Sequence, residues 1–336
     1  MNLHSCEEAR NTIPERHCER WETLADASPK DRPWDTHRSQ ADGVCSHLLS
    51  ADDERLEKQG ARVEACAPWL KFATGVKSET GELSLALKSA FFCRVRHCPV
   101  CQWRRSLMWK ARFYEALPNI VEQQPKGRWL FLTLTVRNCE IGSLREQIRA
   151  MSKGWERLTQ RKQFRDVGGW IRGLEITRGE DGSAHPHFHI LLIAKTTYFK
   201  GGHYIATPQW VKAWREAMRL DYDPICHIRA VRADRAKIEE LGADAALRGA
   251  VAETLKYSVK PSDMLADRDW FLELVRQTFR TRSIASGGLL KDCLREDDET
   301  QQDLLLGDEE KPPEDEAPEL QFNYAPQVQA YRRKRG

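Results

Sequence analysis

The stretch GLEITRGEDGSAHPHFHILLIA, residues 173–194, sets two β-rich runs around an Asp181-Gly182 pair, and it constrains the fold more than any other part of the chain. Asp-Gly between apolar segments is a strong short-range signal for a β-hairpin, which calls for an antiparallel sheet. Side chains along a strand alternate between faces. Phe188, Ile190 and Leu192 therefore turn toward a core, while His187 and His189 share the opposite face. Two imidazoles side by side can clamp one divalent cation; a solvated polar face without an ion is the plainer alternative. Pro186 cannot donate to a ladder, so the strand is expected to begin at His187, leaving His185 the weaker candidate. If the hairpin pairs with a residue sum of 362 or 364, Glu175 lies opposite His187 or His189 and offers a third ligand. An odd sum turns it away.

The surrounding pattern is α+β. RWLFLTLTV (128–136) reads as a strand with Leu130, Leu132, Leu134 and Val136 on one face. Leu144, Ile148, Met151, Trp155 and Leu158 recur at helical spacing, and Pro208 opens a helix carrying Val211, Trp214 and Met218. CHIRAV (226–231) suits a further strand, and AALRGAVAETLKYSVK (245–260) a helix stopped by Pro261. The expected architecture is an antiparallel sheet with helices packed on it.

Charge is segregated along the chain. Residues 1–60 net −5, residues 295–320 net −10 and residues 61–294 net +14. A basic body between acidic ends points to a polyanion, of which nucleic acid is the commonest. Residues 1–60 are polar and without sustained periodicity, so they are expected to be mostly disordered, as is the acidic tail from residue 294 to 336. No run approaches the roughly eighteen apolar residues of a membrane span, and the N-terminus shows no apolar signal region, so a cytoplasmic protein is expected.

CRVRHCPVCQWRR (93–105) contains Cys98-x₂-Cys101, with Cys93 just before it and Cys66 upstream. Thiolates at that spacing can face one tetrahedral ion, and four close a structural Zn²⁺ site. Redox pairs use the same spacing, but the additional cysteines and the flanking Arg94, Arg96, Arg104 and Arg105 favour zinc beside a DNA-contacting surface. His97 could replace one thiol. A zinc-binding element over residues 61–110 thus precedes a domain over 111–293.

If 245–260 is one helix, Glu253, Tyr257 and Lys260 fall on a common face. A phenol that attacks, an ammonium that steadies phosphate charge and a carboxylate that serves as base would form a nucleophilic set. An exposed Glu–Lys face around a partly buried tyrosine is the commoner cause of such spacing. Lys256, next to the tyrosine, joins the arginines as a DNA-contacting candidate.

Taken in order, FCRVRHCPVCQWRRS, FLTLTVRN, HPHFHILL and YSVKPSD resemble the rolling-circle replication initiator (Rep) proteins of small bacterial plasmids, in the HUH endonuclease superfamily. The resemblance covers roughly residues 60–293. It implies a nickase domain in which His187, His189 and a carboxylate such as Glu175 hold catalytic Mn²⁺ or Mg²⁺. It further implies that Tyr257 forms a 5′-phosphotyrosyl link at a plasmid double-strand origin, and that Glu253 activates a water to end the round. Single-stranded DNA, a host helicase and the replication machinery are the partners it implies. A relaxase or transposase-type nickase, or a zinc-containing DNA-binding regulator without catalysis, are the competing expectations.

Overall fold

The computed structural model describes residues 21–76, 83–200, 203–231, 245–293, 299–306 and 318–334. Its central element is an antiparallel five-stranded sheet in the order β7-β4-β6-β5-β8. The strands are β4 (Arg128–Thr135), β5 (Val167–Arg178), β6 (Ala184–Ala194), β7 (Cys226–Ala230) and β8 (Ile284–Gly288). The expected hairpin is β5–β6, and its turn is closed by Gly182 at φ +79 and by the Asp181 carboxylate, which accepts from the Ser183 amide and hydroxyl. The histidine strand β6 is the middle strand, with β4 on one side and β5 on the other.

The two faces of β6 meet different helices. Phe188, Ile190 and Leu192 pack with Leu130, Leu132 and Leu134 against α5 (Leu144–Thr159) and α6 (Thr207–Met218). The Trp214 indole fixes α6 by donating to the Thr135 carbonyl at 2.9 Å. On the opposite face Leu191, Ile193, Trp129 and Phe131 meet α4 (Pro99–Gln123) and α7 (Ala245–Thr254), which contribute Phe113, Leu117, Leu247 and Val251. These apolar contacts cover that face only as far as Leu191; beyond it, toward the start of β6, the histidines take over.

β6 begins at Ala184, not His187, and Pro186 pairs with Ile176 inside it. The Ile176 amide donates away from β6, to the Ser258 carbonyl at 2.8 Å, so this is a non-hydrogen-bonded pair and the proline nitrogen faces β4. The β4 ladder has already stopped at Thr135–His187 there, and the next contact is the Cys139–Ala184 bridge. No donor is missed.

The N-terminal extension is not disordered over residues 21–60. It forms β1 (Trp21–Thr23), α1 (Leu24–Ala27), α2 (Pro33–Leu49) and most of α3 (Glu54–Glu64); residues 1–20 lie outside the described residues. The polar composition hides two narrow stripes, Trp34, Ala41, Val44 and Leu48 on α2 and Leu56, Gly60 and Val63 on α3, all buried. The acidic tail is likewise built where it is described. β9 (Glu319–Ala325) and β10 (Ala330–Lys334) join β1, β2 (Trp69–Val76) and β3 (Leu83–Ala90) in a second antiparallel sheet, in the order β1-β10-β9-β2-β3. Tyr331 is fully buried, and its hydroxyl donates to the Ala67 carbonyl at 2.6 Å. The division at 110/111 also fails, because α4 runs through it and one apolar cluster includes the four cysteines and the sheet residues.

The helix expected over 245–260 ends at Thr254. Ser258 and Val259 instead extend along β5, taking the edge positions beyond the last β8 pair. Backbone bonds to the sheet outcompete the helical spacing. α8 (Pro261–Ala266), α9 (Arg268–Thr278) and α10 (Leu289–Cys293) complete the chain order. Among the described residues no helix is long and apolar enough to cross a membrane.

Candidate active site

The β5–β6 register sums to 362: Glu175 pairs with His187 and Gly173 with His189. Glu175 therefore stands on the histidine face, and its Oε2 lies 2.7 Å from His187 Nε2 and 2.8 Å from His189 Nε2. The other ring nitrogens are engaged separately, His187 Nδ1 with the His185 carbonyl at 3.3 Å and His189 Nδ1 with the Thr133 hydroxyl at 3.3 Å. With an ion bound in place of the Nε2 protons, protons on Nδ1 would leave both Nε2 lone pairs directed at one point, the usual orientation of metal-ligating imidazoles. Phe131 stacks on His189 with ring centroids 5.6 Å apart and restrains its rotation.

Among the described residues, Glu175, His187 and His189 are one of two groups of ligand atoms close enough to share an ion. Burial alone would raise the Glu175 carboxyl, but hydrogen bonds from His187, His189 and Lys256 hold it well below the usual range. The preformed anion, 3 % exposed, suits a divalent cation ligated by mixed imidazole and carboxylate. His185 lies beside His187, ring centroids 5.3 Å apart, but is not among the converging ligand atoms.

The end of α7 brings a second carboxylate to this face. Glu253 Oε1 is 3.5 Å from His189 Nε2, and the Lys256 ammonium bridges Glu253 and Glu175 at 2.7 Å each. Burial would lower the Lys256 pKa, but its two carboxylate partners raise it instead. Lys256, expected to contact DNA, is thus the lysine of this cluster. Lys260, expected to share a helical face with Tyr257, is exposed, and its carbonyl caps α8 by accepting from the Asp263 and Met264 amides. Tyr257 follows Lys256 in the irregular segment that joins α7 to the β5 edge, half-buried and lining a cavity.

The close approach of α7 to the sheet depends on Gly173. A Cβ there would lie 2.1 Å from the Thr254 carbonyl oxygen, a main-chain atom. A glycine opposite a histidine in an otherwise bulky strand was the signal for this contact; Thr133, polar on the His face of β4, was another.

The second ligand group is Cys66, Cys93, Cys98 and Cys101, all buried. Cys101 Sγ is 3.6 Å from both Cys66 Sγ and Cys93 Sγ. Zn–S bonds of about 2.3 Å in a tetrahedron put the sulfurs about 3.8 Å apart, so the thiols fit that ion. Ala67 and Arg94, which follow Cys66 and Cys93, adopt left-handed backbone at φ 47 and φ 55, and the Cys93 and Val95 amides point at Cys66 and Cys93 sulfur. Left-handed turns on residues that carry a Cβ, with amides aimed at sulfur, are features that suit a thiolate knuckle. His97 is no substitute ligand; it is buried apart, with Nε2 at 2.8 Å from the Thr278 hydroxyl.

The knuckle arginines serve different places. Arg104 is buried and donates to the Leu304 and Leu306 carbonyls, away from the cavity beside Tyr257, which corrects the expectation that it meets phosphates. Arg96 donates to the Thr278 and Thr281 carbonyls and the Ser283 hydroxyl, and with Arg94 and Arg105 it borders that cavity.

A family model of replication proteins matches residues 84–332. The chain is 36% identical over 290 residues to the "Protein rep" of Lactiplantibacillus plantarum, covering 84% of each. It is 34% identical over 276 residues to that of Lentilactobacillus hilgardii, covering 80% of this chain and 83% of the relative. To that of Bacillus amyloliquefaciens it is 36% identical over 307 residues, covering 84% and 85%. No solved structure matches.

Proposed function

Because the chain belongs to the replication protein family, the plasmid rolling-circle initiators (Rep) of the HUH endonuclease superfamily, we propose that it starts replication by nicking one strand of the double-strand origin with Tyr257. The observation that carries this reading is the convergence of His187 Nε2, His189 Nε2 and Glu175 Oε2 beside the segment bearing Tyr257, joined to it through Lys256.

His187, His189 and Glu175 would hold Mn²⁺ or Mg²⁺, which when bound offsets charge developing on the scissile phosphate. The sheet keeps the ligands in place, since all three stand on adjacent β5 and β6, with Thr133 and the His185 carbonyl fixing ring orientation. The Tyr257 oxygen attacks phosphorus, the bond to the 3′ oxygen breaks, and the products are a 5′-phosphotyrosyl link and a free 3′-OH primer. Lys256 holds Glu253 next to the cluster through a 2.7 Å ion pair, where Glu253 can take a proton from water that hydrolyses the link formed in the closing step. Cys66, Cys93, Cys98 and Cys101 would hold Zn²⁺ in a structural role. DNA enters as plasmid origin duplex and single strand, with a host helicase and polymerase acting downstream.

The test is incubation with supercoiled origin plasmid and Mn²⁺ or Mg²⁺. Wild-type protein is expected on the 5′ end of the nicked strand, and Tyr257→Phe is expected to bind the same DNA without forming an adduct. An undiminished adduct in Tyr257→Phe would remove Tyr257 from the mechanism. DNA binding without metal-dependent nicking by the wild type would leave a non-catalytic regulator.

A further inference from the structure

Tyr257 opens onto a cavity of about 520 Å³ between the start of α4, the segment 255–258 and the approach to β8. Its lining includes Arg94, Arg96, Arg105, Arg282 and Lys256, and Glu299 is the one acid among the residues that line it. A cavity of this size and charge beside a nucleophile is suited to a phosphodiester. Its arginine fork is already taken. Arg105 grips the Glu299 carboxylate with both prongs, Nε to Oε2 at 2.5 Å and Nη2 to Oε1 at 3.0 Å, and Arg94 donates to the Glu299 carbonyl at 2.9 Å. Fork-to-fork pairing of this kind is what guanidinium makes with either a carboxylate or two phosphate oxygens.

The residues that follow Glu299, as far as Leu304, are clamped in place. The Gln301 amide bonds the Phe92 amide and carbonyl, Arg112 pairs with Asp303 at 2.9 Å, and Leu304 is fully buried. The clamp delivers Glu299 to the rim of the cavity, and only the Glu299 contacts need to open for the fork to be vacated. Burial, and after it the neighbouring Arg105 charge, lowers the Arg96 guanidinium to about 10.

We propose that the cavity is a phosphodiester subsite for the DNA strand that reaches Tyr257, and that Glu299 occupies it as an intramolecular competitor until DNA displaces it. This rests on the reading of Tyr257 as nucleophile. The competitor makes weak, non-origin strands pay for displacement, while a strand held by many contacts overcomes it.

The full chain in a Tyr257→Phe background, titrated with a fluorescent single-stranded oligonucleotide over a range of salt concentrations, tests this. Glu299→Gln is expected to tighten binding about fivefold and to steepen the dependence of log Kd on log salt by about 0.7, one added phosphate contact on a single strand. Glu115→Gln, which removes the same charge from an exposed position on α4, is expected to leave that slope unchanged. Equal gains in the two variants with unchanged slopes would reduce the effect to net charge and overturn the proposal. Unchanged or weaker binding by Glu299→Gln, with or without a lower Tm, would overturn it as well and leave Glu299 a structural tie. Adduct formation by the unmutated protein is scored separately, so failure of the nucleophile assignment cannot be mistaken for failure of the subsite.

Discussion

Substituting Gly173 by alanine should separate the geometry of the site from its composition. The added Cβ would sit 2.1 Å from the Thr254 oxygen, where real contacts essentially never fall below 3.0 Å, so the end of α7 and β5 must part by about 0.9 Å. Neither side yields as a flexible side chain would, because both are backbone. Gly173 is paired with His189, and Glu175 two residues on is a cluster ligand; Thr254 adjoins Glu253 and leads directly to Lys256 and Tyr257. Whichever element moves, the segment leading to Tyr257 shifts against Glu175, His187 and His189 by nearly 1 Å. Misplacement on that scale costs about 10²-fold in rate, whereas overpacking costs about 1–3 kcal/mol in stability. Gly173→Ala is therefore expected to fold, to lose a few degrees in Tm, and to form the covalent adduct about 100-fold more slowly in a single-turnover assay, with DNA affinity little changed. Adduct formation within about threefold of wild type would show that Gly173 does not set the approach of Tyr257.

Two further outcomes follow from the same geometry. Glu253→Gln keeps the shape of the side chain but cannot accept a proton, so nicking should persist while termination fails and multimeric displaced strands accumulate on gels; unit-length circles at the normal rate would take the water-activating role away. Cys98→Ser or Cys101→Ser should reduce the metal content of the purified protein from about one zinc per chain and lower Tm by about 10 °C, since losing a buried ligand commonly costs several kcal/mol. A folded, metal-free wild-type protein by elemental analysis would refute the zinc assignment.

The candidate site was legible wherever local periodicity decides the outcome. The Asp-Gly turn fixed the hairpin, the strand alternation put His187 and His189 on one face, and the parity of the register determined whether Glu175 joined them. What remained hidden involves partners far apart in sequence. β1 pairs with β10 and β2 with β9, so the polar ends gain their order only when each meets the other. Composition cannot report such a pairing. The helix over 245–260 was misread for a related reason, because the β5 edge left open by β8 captured Ser258 and Val259. Counting positive charge likewise could not separate Arg104, buried against the Leu304 and Leu306 carbonyls, from Arg94, Arg96 and Arg105 at the cavity.

The cysteine cluster and the segment bearing Tyr257 are thereby parts of one mechanical unit. Arg96, inside the knuckle, donates to the turn between α9 and β8 at Thr278, Thr281 and Ser283. Ser283 in turn accepts from the Leu174 amide through its carbonyl at 2.7 Å, one residue from both Gly173 and Glu175. Arg105 and Arg94 tie the knuckle itself to Glu299 at the cavity rim. A change in the knuckle reaches β5 through two hydrogen-bonded steps, without passing through a flexible side chain at the ligands themselves. Loss of the fourth thiol should then loosen the position of Gly173 against Thr254 before it unfolds the sheet, because β5 is held on its other edge by the full length of β6.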